Sequence, residues 1–359
     1  MGVLATPIYY FHAIIGLFWA IMKRLYYLDH IKVMLTVLVI FHHAALPYSP
    51  FSSWPYSPSD RAEMMPWIWH FHSVNASYFM GLYFFISGYF VPRSFDNQGW
   101  RSFVQKKLTR LGLPILIISS ILSFATGQLE VGHIWFLESL LTFCLIYALF
   151  RQLFPPISKQ QNLQRITFPG MLAIGLLMGI GGYFIRLVSP QDNWIWLLGI
   201  IHIEPAHYLQ YIMMFVLGII SYRYQWFDRI KNSTGLCALV IGIALMIGNL
   251  LRDNGPWNDF VTEWFGIYES LFCVFFCFGL LWFIGKYANH TNHFLNWCAQ
   301  QSYGAYVIHL FVLLGIQYAT DQVQAVGIIK FLFIGTLTTI LSFYLTSLIR
   351  KIPGVKRVI

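Results

Sequence analysis

The sequence predicts an all-α integral membrane protein, with about ten transmembrane helices in one bundle and a short N-terminal apolar helix. Three observations predict this. Of 359 residues, 57% are hydrophobic and only 10% are charged, whereas soluble domains carry about 25% charged residues. Apolar runs of about 16 to 25 residues, the length needed to cross a bilayer, recur along the whole chain. Basic residues collect in alternate loops, as they do on the cytoplasmic side of membrane proteins. So few polar residues cannot cover a water-facing surface, which excludes a soluble enzyme. The net charge of +9 then reflects basic inner loops, and no nucleic-acid partner is expected.

Taken in order, the spans fall at 32–48, 76–92, 111–127, 134–151, 168–188, 207–223, 235–251, 264–285, 303–319 and 324–348. A further apolar stretch at 7–22 is short for a crossing; it is either an extra span or an interfacial helix. Residues 1–24 are therefore read as an N-terminal apolar segment and 25–359 as one transmembrane domain, since no long polar linker divides the chain. No cleavable signal peptide is expected. If the first span is entered from the cytoplasm, the outer loops hold only Arg61, Arg186 and Arg252, and Lys330 falls within the tenth span. This places the C-terminus in the cytoplasm and the 48–75 loop outside. That loop is rich in proline and aromatic residues, so it is expected to be ordered but irregular. The five cysteines show no metal-ligand spacing, and no metal is expected.

Polar residues inside apolar runs are the candidate site. The first span reads "YYLDHIKVMLTVLVIFHHA". On a helix, Lys32 and His43 lie within about 20° of one face and roughly 16 Å apart, with Asp29 about 40° off that face. Asp29 and Lys32 are spaced i, i+3 and can pair, while His42 points about 100° away. Ionisable groups at this depth usually face a cavity and mark a functional path. The alternative is a snorkelling lysine and a histidine bonded to a neighbouring helix.

Lys107 and Arg110, spaced i, i+3 before the third span, share a basic loop with Arg93, Arg101 and Lys106. Such a cluster suits the phosphates of a nucleotide or coenzyme A. Contact with anionic lipid headgroups would explain it equally. In "GHIWFLESLL", His133 sits at the outer end of the fourth span and Glu138 about two turns in; each either lines a cavity or makes a structural hydrogen bond. His309, in "SYGAYVIHLF", is read as about two turns into the ninth span from the cytoplasm, facing the cavity or a backbone carbonyl. His202, Glu204 and His207 could ligate a metal, but their spacing matches no strong zinc motif.

Several of these blocks together resemble the membrane-bound acyltransferase family 3, which includes O-antigen acetylases and a glucan succinylation protein. The resemblance covers most of residues 25–350. The family's first span carries an Arg, ten residues, then a His; here Lys32 precedes His43 by the same interval. The family's Arg-x-x-Arg pair is similar to Lys107-Leu108-Thr109-Arg110, and "FFISGYF", "GHIWFLE" and "SYGAYVIHLF" also match family blocks in order. Lysine replaces arginine at two of these positions, which keeps charge but loses the bidentate fork.

The resemblance implies transfer of an acyl group, acetyl or succinyl, from cytoplasmic acyl-CoA to a hydroxyl of an envelope glycan or other outer acceptor. It implies that His43 is catalytic, as base or acyl carrier. With it we expect Asp29 to assist and Lys32, Lys107, Arg110, His133, Glu138 and His309 to bind donor or acceptor. The expected location is the inner cell membrane, in contact with its lipids, with a homodimer left open. The alternative from another class is a secondary transporter or polysaccharide exporter, but the inverted repeats expected of transporters are not evident.

Overall fold

The computed structural model describes residues 25–50, 54–154, 165–253 and 255–359. The apolar stretch 7–22 lies outside them. The described chain is almost entirely helical. Its long helices are α1 (Tyr26–Ala45), α2 (Ile68–Lys107), α3 (Leu113–Thr126), α4 (Trp135–Leu153), α5 (Phe168–Val188), α6 (Pro205–Tyr224), α7 (Asn232–Leu250), α9 (Phe265–Tyr287), α10 (His293–Ala319) and α11 (Gly327–Ile349). A short helix α8 (Pro256–Glu263) precedes α9. Among the described residues, eight stretches are long and apolar enough to cross a membrane, and one of these, Ile68–Thr126, runs 59 residues and carries two crossings. The segment α6 makes a further crossing. It is less apolar because it is buried in the bundle, with His207, Gln210 and Ser221 turned inward.

The expected spans are therefore present, with corrections at their ends. Helix α2 begins eight residues earlier than the expected 76, and α10 ten residues earlier than 303. In both cases polar and aromatic residues extend the helix beyond the apolar run on which the sequence reading relied. An antiparallel hairpin, β1 (Ile195–Leu197) with β2 (Ile201–Ile203), was not foreseen. Large apolar side chains such as Leu116, Phe124 and Leu177 point outward, as a lipid-facing surface requires.

Helix α1 is central, packed against α2, α9, α10 and α11. The tightest crossing joins α2 to α6. A Cβ on Gly88 would lie 2.1 Å from the Phe215 carbonyl oxygen, and one on Gly218 would lie 2.0 Å from that of Phe85. The two backbones touch, which only glycine permits, and small-residue contacts drive helix association in lipid. This explains the glycine in "FFISGYF". Further along α2, Gly99 adopts φ 71°, ψ 174°, a conformation open essentially to glycine alone. It breaks the helix into a membrane rod and an inner elbow.

The outer loop between α1 and α2 is ordered by buried charge. Lys330, in the first turn of α11, donates to Glu63 Oε1 at 2.5 Å and to the Asp321 carbonyl at 3.1 Å. Both partners of the ion pair are almost fully buried. The side chain of Asp321 accepts hydrogen bonds from Tyr56 Oη at 2.8 Å and from the Ser59 amide and hydroxyl. These bonds hold the Asp321 carboxyl down at about 2. Lys330, which the sequence leaves inside an apolar run, is thus a clasp for the loop.

Two predictions follow from this packing. Replacing Gly88 by Ala should lower stability by about 1–3 kcal/mol in detergent unfolding, because the α2 and α6 backbones must part. Gly315→Ala, where no atom lies within 4 Å of the added Cβ, should change nothing. Lys330→Met should cost about 3–5 kcal/mol by stranding Glu63, and adding Glu63→Gln should restore most of it. A double variant as unstable as the single one would show that the pair acts otherwise.

Candidate active site

His43 lies in the last turn of α1, at its C-terminal end. Trp54, from the loop between α1 and α2, lies nearly parallel to its imidazole at 5.4 Å between centroids. His309 from α10 lies nearly coplanar with it, edge to edge, at 5.1 Å between centroids. Because α10 starts ten residues earlier than expected, His309 sits 16 residues, about 24 Å, from the N-terminal end of its helix. It therefore lies deep in the helix, beside His43, and not two turns from that end. Its side chain is fully buried.

Hydrogen bonds orient this pair. His309 Nδ1 contacts the Tyr306 carbonyl at 2.6 Å, and His309 Nε2 contacts His43 Nδ1 at 2.9 Å. A carbonyl only accepts, so His309 Nδ1 carries the proton. In the neutral pair His309 Nε2 then accepts, and His43 Nδ1–H donates. The lone pair of His43 falls on Nε2, which has no hydrogen-bond partner among the described residues. A carbonyl–imidazole–imidazole relay thus fixes both the plane and the tautomer of His43.

Three more histidines surround it. The ring of His133 meets His309 edge-on at 4.8 Å, and its Nε2 donates to the Val307 carbonyl at 3.0 Å. Its carbonyl accepts from Tyr306 Oη at 2.6 Å. His42 turns aside, as the helical arithmetic requires, and packs on His72 and Phe79. His42 Nδ1, His72 Nε2 and His133 Nδ1 are buried without a hydrogen-bond partner among the described residues. Buried polar atoms are ordinarily paired, so three such nitrogens around one imidazole suit a polar substrate. Among the described residues no three His, Cys, Asp or Glu side chains converge as a metal site would require.

The remaining candidates lie elsewhere. Asp29 and Lys32 form an ion pair of 2.7 Å at the inner end of α1, with the Lys32 ammonium over the Phe90 ring. Lys32 is roughly 16 Å from His43 along the helix, so neither touches the imidazole. Lys107 and Arg110 diverge. Lys107 lies over Phe103 with the Cys144 thiol nearby, whereas Arg110 lies over Tyr303 of α10. A π-helical stretch, Leu108–Gly112, changes the turn and separates the two faces. Glu138 accepts from the His202 amide at 2.9 Å, tying α4 to the hairpin. His202 is sandwiched by Trp194 and Trp196, and that burial lowers its pKa.

Sequence reasoning missed Arg350 and the buried ion pairs that tie Glu204 and His207, read from sequence only as metal-ligand candidates, to Arg186 and Glu269. Arg350, at the end of α11, lies near Arg110, and its pKa is lowered by burial and by that neighbouring charge. Nothing in its local sequence distinguishes it from any other basic helix end. The second group is a buried network of Arg186, Glu269, His207 and Glu204 on α5, α6 and α9. Both nitrogens of His207 face carboxylates, which only accept, so the ring is an imidazolium and two positive charges balance two negative ones. Glu269 inside an apolar run was the available signal.

Comparison with known proteins bears on this geometry. The chain is 23% identical to glucans biosynthesis protein C of Escherichia coli O81 (strain ED1a) over 312 residues, 76% of each chain. It is 24% identical to the protein of the same name from Escherichia coli K12 over 276 residues, 67% of this chain and 69% of the relative. No solved structure matches it. A family model described as an acyltransferase domain matches residues 25–347, taking in α1 with His43, the basic elbow and α10 with His309. A match over that length, running from the first described helix to the last, shows that the chain belongs to the acyltransferase 3 family of integral membrane proteins.

Proposed function

We propose that this acyltransferase moves an acyl group, acetyl or succinyl, from cytoplasmic acyl-CoA to a hydroxyl of an envelope glycan outside the inner membrane. The observation that carries this reading is the oriented imidazole of His43. Its Nε2 is free, its Nδ1–H is held by His309, and it lies at the outer end of a helix whose inner end is charged. The names of the relatives, which concern glucans, support a glycan as acceptor.

In this reading His43 acts as general base. Its Nε2 takes the proton of the acceptor hydroxyl while the oxygen attacks the thioester carbonyl carbon. The carbon–sulfur bond breaks, and the thiolate leaves with the proton that the imidazolium returns. His309 stabilises the transient imidazolium by accepting its Nδ1–H, and Tyr306 fixes His309 in turn. His309 is therefore a positioning residue. At the inner face Arg110 and Arg350, neither with a carboxylate partner among the described residues, together with Lys107, suit the phosphates of coenzyme A. Lys32 and Asp29 mark the start of the α1 face that the donor's flexible arm would follow towards His43.

His43→Ala should abolish transfer from labelled acyl-CoA in a folded variant, whereas His42→Ala should retain most of it. His309→Ala should reduce kcat by about a hundredfold or more, within the range of general base contributions, with acyl-CoA binding unchanged. Full activity of folded His43→Ala would overturn the assignment. With donor alone no acylated protein should accumulate; an acyl group found on His43 would make it a carrier instead. At the inner face, Arg110→Ala and Arg350→Ala should each weaken acyl-CoA binding by about tenfold, the loss of one charged hydrogen bond. Unchanged donor affinity in both would remove them from the donor site.

A further inference from the structure

We infer that the pocket under the outer loop is the acceptor subsite, and that it holds a single sugar ring with Trp54 as its apolar wall. This rests on the acyl-transfer reading above and specifies where the acceptor binds. The pocket has a volume of 330 Å³ and is lined by Pro47, Trp54, Tyr56, Ser57 and Arg61, among others. Ligand pockets run from about 300 to 1,000 Å³, so this one admits one ring and not a folded polymer.

The wall nearest the chemistry is Trp54, which both lines the pocket and stacks on His43. Its Nε1–H donates to Gln317 Oε1 at 2.9 Å, which fixes the indole. Tyr56 is buried and donates to Asp321. The far wall is thereby tied to the α10–α11 connection and to the Glu63–Lys330 clasp. A site held by such bonds is pre-organised and loses little freedom when it is occupied.

The polar side of the pocket is Arg61. Arg186 is paired with Glu269, Lys330 is paired with Glu63, and Arg252 lies over the Trp69 and Phe265 rings. Arg61 is exposed and has no carboxylate partner among the described residues, so its five N–H donors are free to meet oxygens. With the Ser57 hydroxyl beside it, this pairs an aromatic plane with a fan of donors. A sugar ring has the matching faces: C–H groups on one side and hydroxyls around the edge. A ring seated here presents an edge hydroxyl past Trp54 towards His43 Nε2.

The test labels the pocket from outside. Ser57→Cys is made together with Cys237→Ser, because Cys237 is exposed while Cys144, Cys273, Cys277 and Cys298 are buried, and is treated with a bulky membrane-impermeant maleimide. Transfer from labelled acetyl-CoA or succinyl-CoA to a glucose tetrasaccharide is measured by mass spectrometry, alongside acyl-CoA binding. Labelling should reduce transfer at least tenfold relative to the same variant before labelling, with donor binding retained. Arg61→Ala should raise the KM for the tetrasaccharide by about tenfold with kcat little changed, and Arg61→Lys should recover part of it. A saccharide acylated at full rate after labelling, with unchanged KM in Arg61→Ala, overturns the pocket and leaves the acyl-transfer reading standing. A wild-type protein that binds acyl-CoA but acylates no saccharide overturns both.

Discussion

Hydrocarbon offers no hydrogen bonds, so every polar group within the bilayer must find its partner in the protein. The rest of this structure depends on that constraint. Glu63 is matched by Lys330, Arg186 and His207 by Glu269 and Glu204, and Asp29 by Lys32. The Glu63–Lys330, Arg186–Glu269 and His207–Glu269 pairs join elements distant in sequence, and so position a helix or a loop. Around His43 three buried imidazole nitrogens, on His42, His72 and His133, lack partners among the described residues.

The scaffold that holds the imidazole is stiff for simple reasons. Helix α1 is enclosed by four others, and α2 and α6 meet backbone to backbone at Gly88 and Gly218. His43 receives Trp54 from the α1–α2 loop against its ring and His309 from α10 at its Nδ1 edge. The loop is anchored in turn by Asp321 and by the Glu63–Lys330 pair. Charge buried some distance from His43 therefore helps to set the plane of its ring.

The charged groups of the molecule also define two sides. One end carries Arg110 and Arg350 close together, with Lys107 turned to a different neighbour. The other end carries the histidine cluster and, beside Trp54, a small polar-lined pocket. Such a division suits a reaction whose donor and acceptor approach from opposite faces of a membrane. Lys32, near the N-terminal end of α1, closes an ion pair with Asp29 and stays roughly 16 Å from His43.

By itself the sequence determined the number of spans, the alternation of basic loops and the separation of His43 from His42. These depend on composition and on a fixed rotation per residue, both of which are local. It also singled out Glu138, His133 and His309 as polar residues set among apolar ones. Only the tertiary structure decided what each of them meets. It brought His309 to His43 across 266 residues, gave Glu138 to the hairpin, and turned Lys107 away from Arg110 through a π-helical stretch. It also paired Lys330 with Glu63 and set Arg350 beside Arg110. Helix ends extend past their apolar runs, and partners across a bundle are chosen by packing, so no spacing along the chain could reveal these contacts.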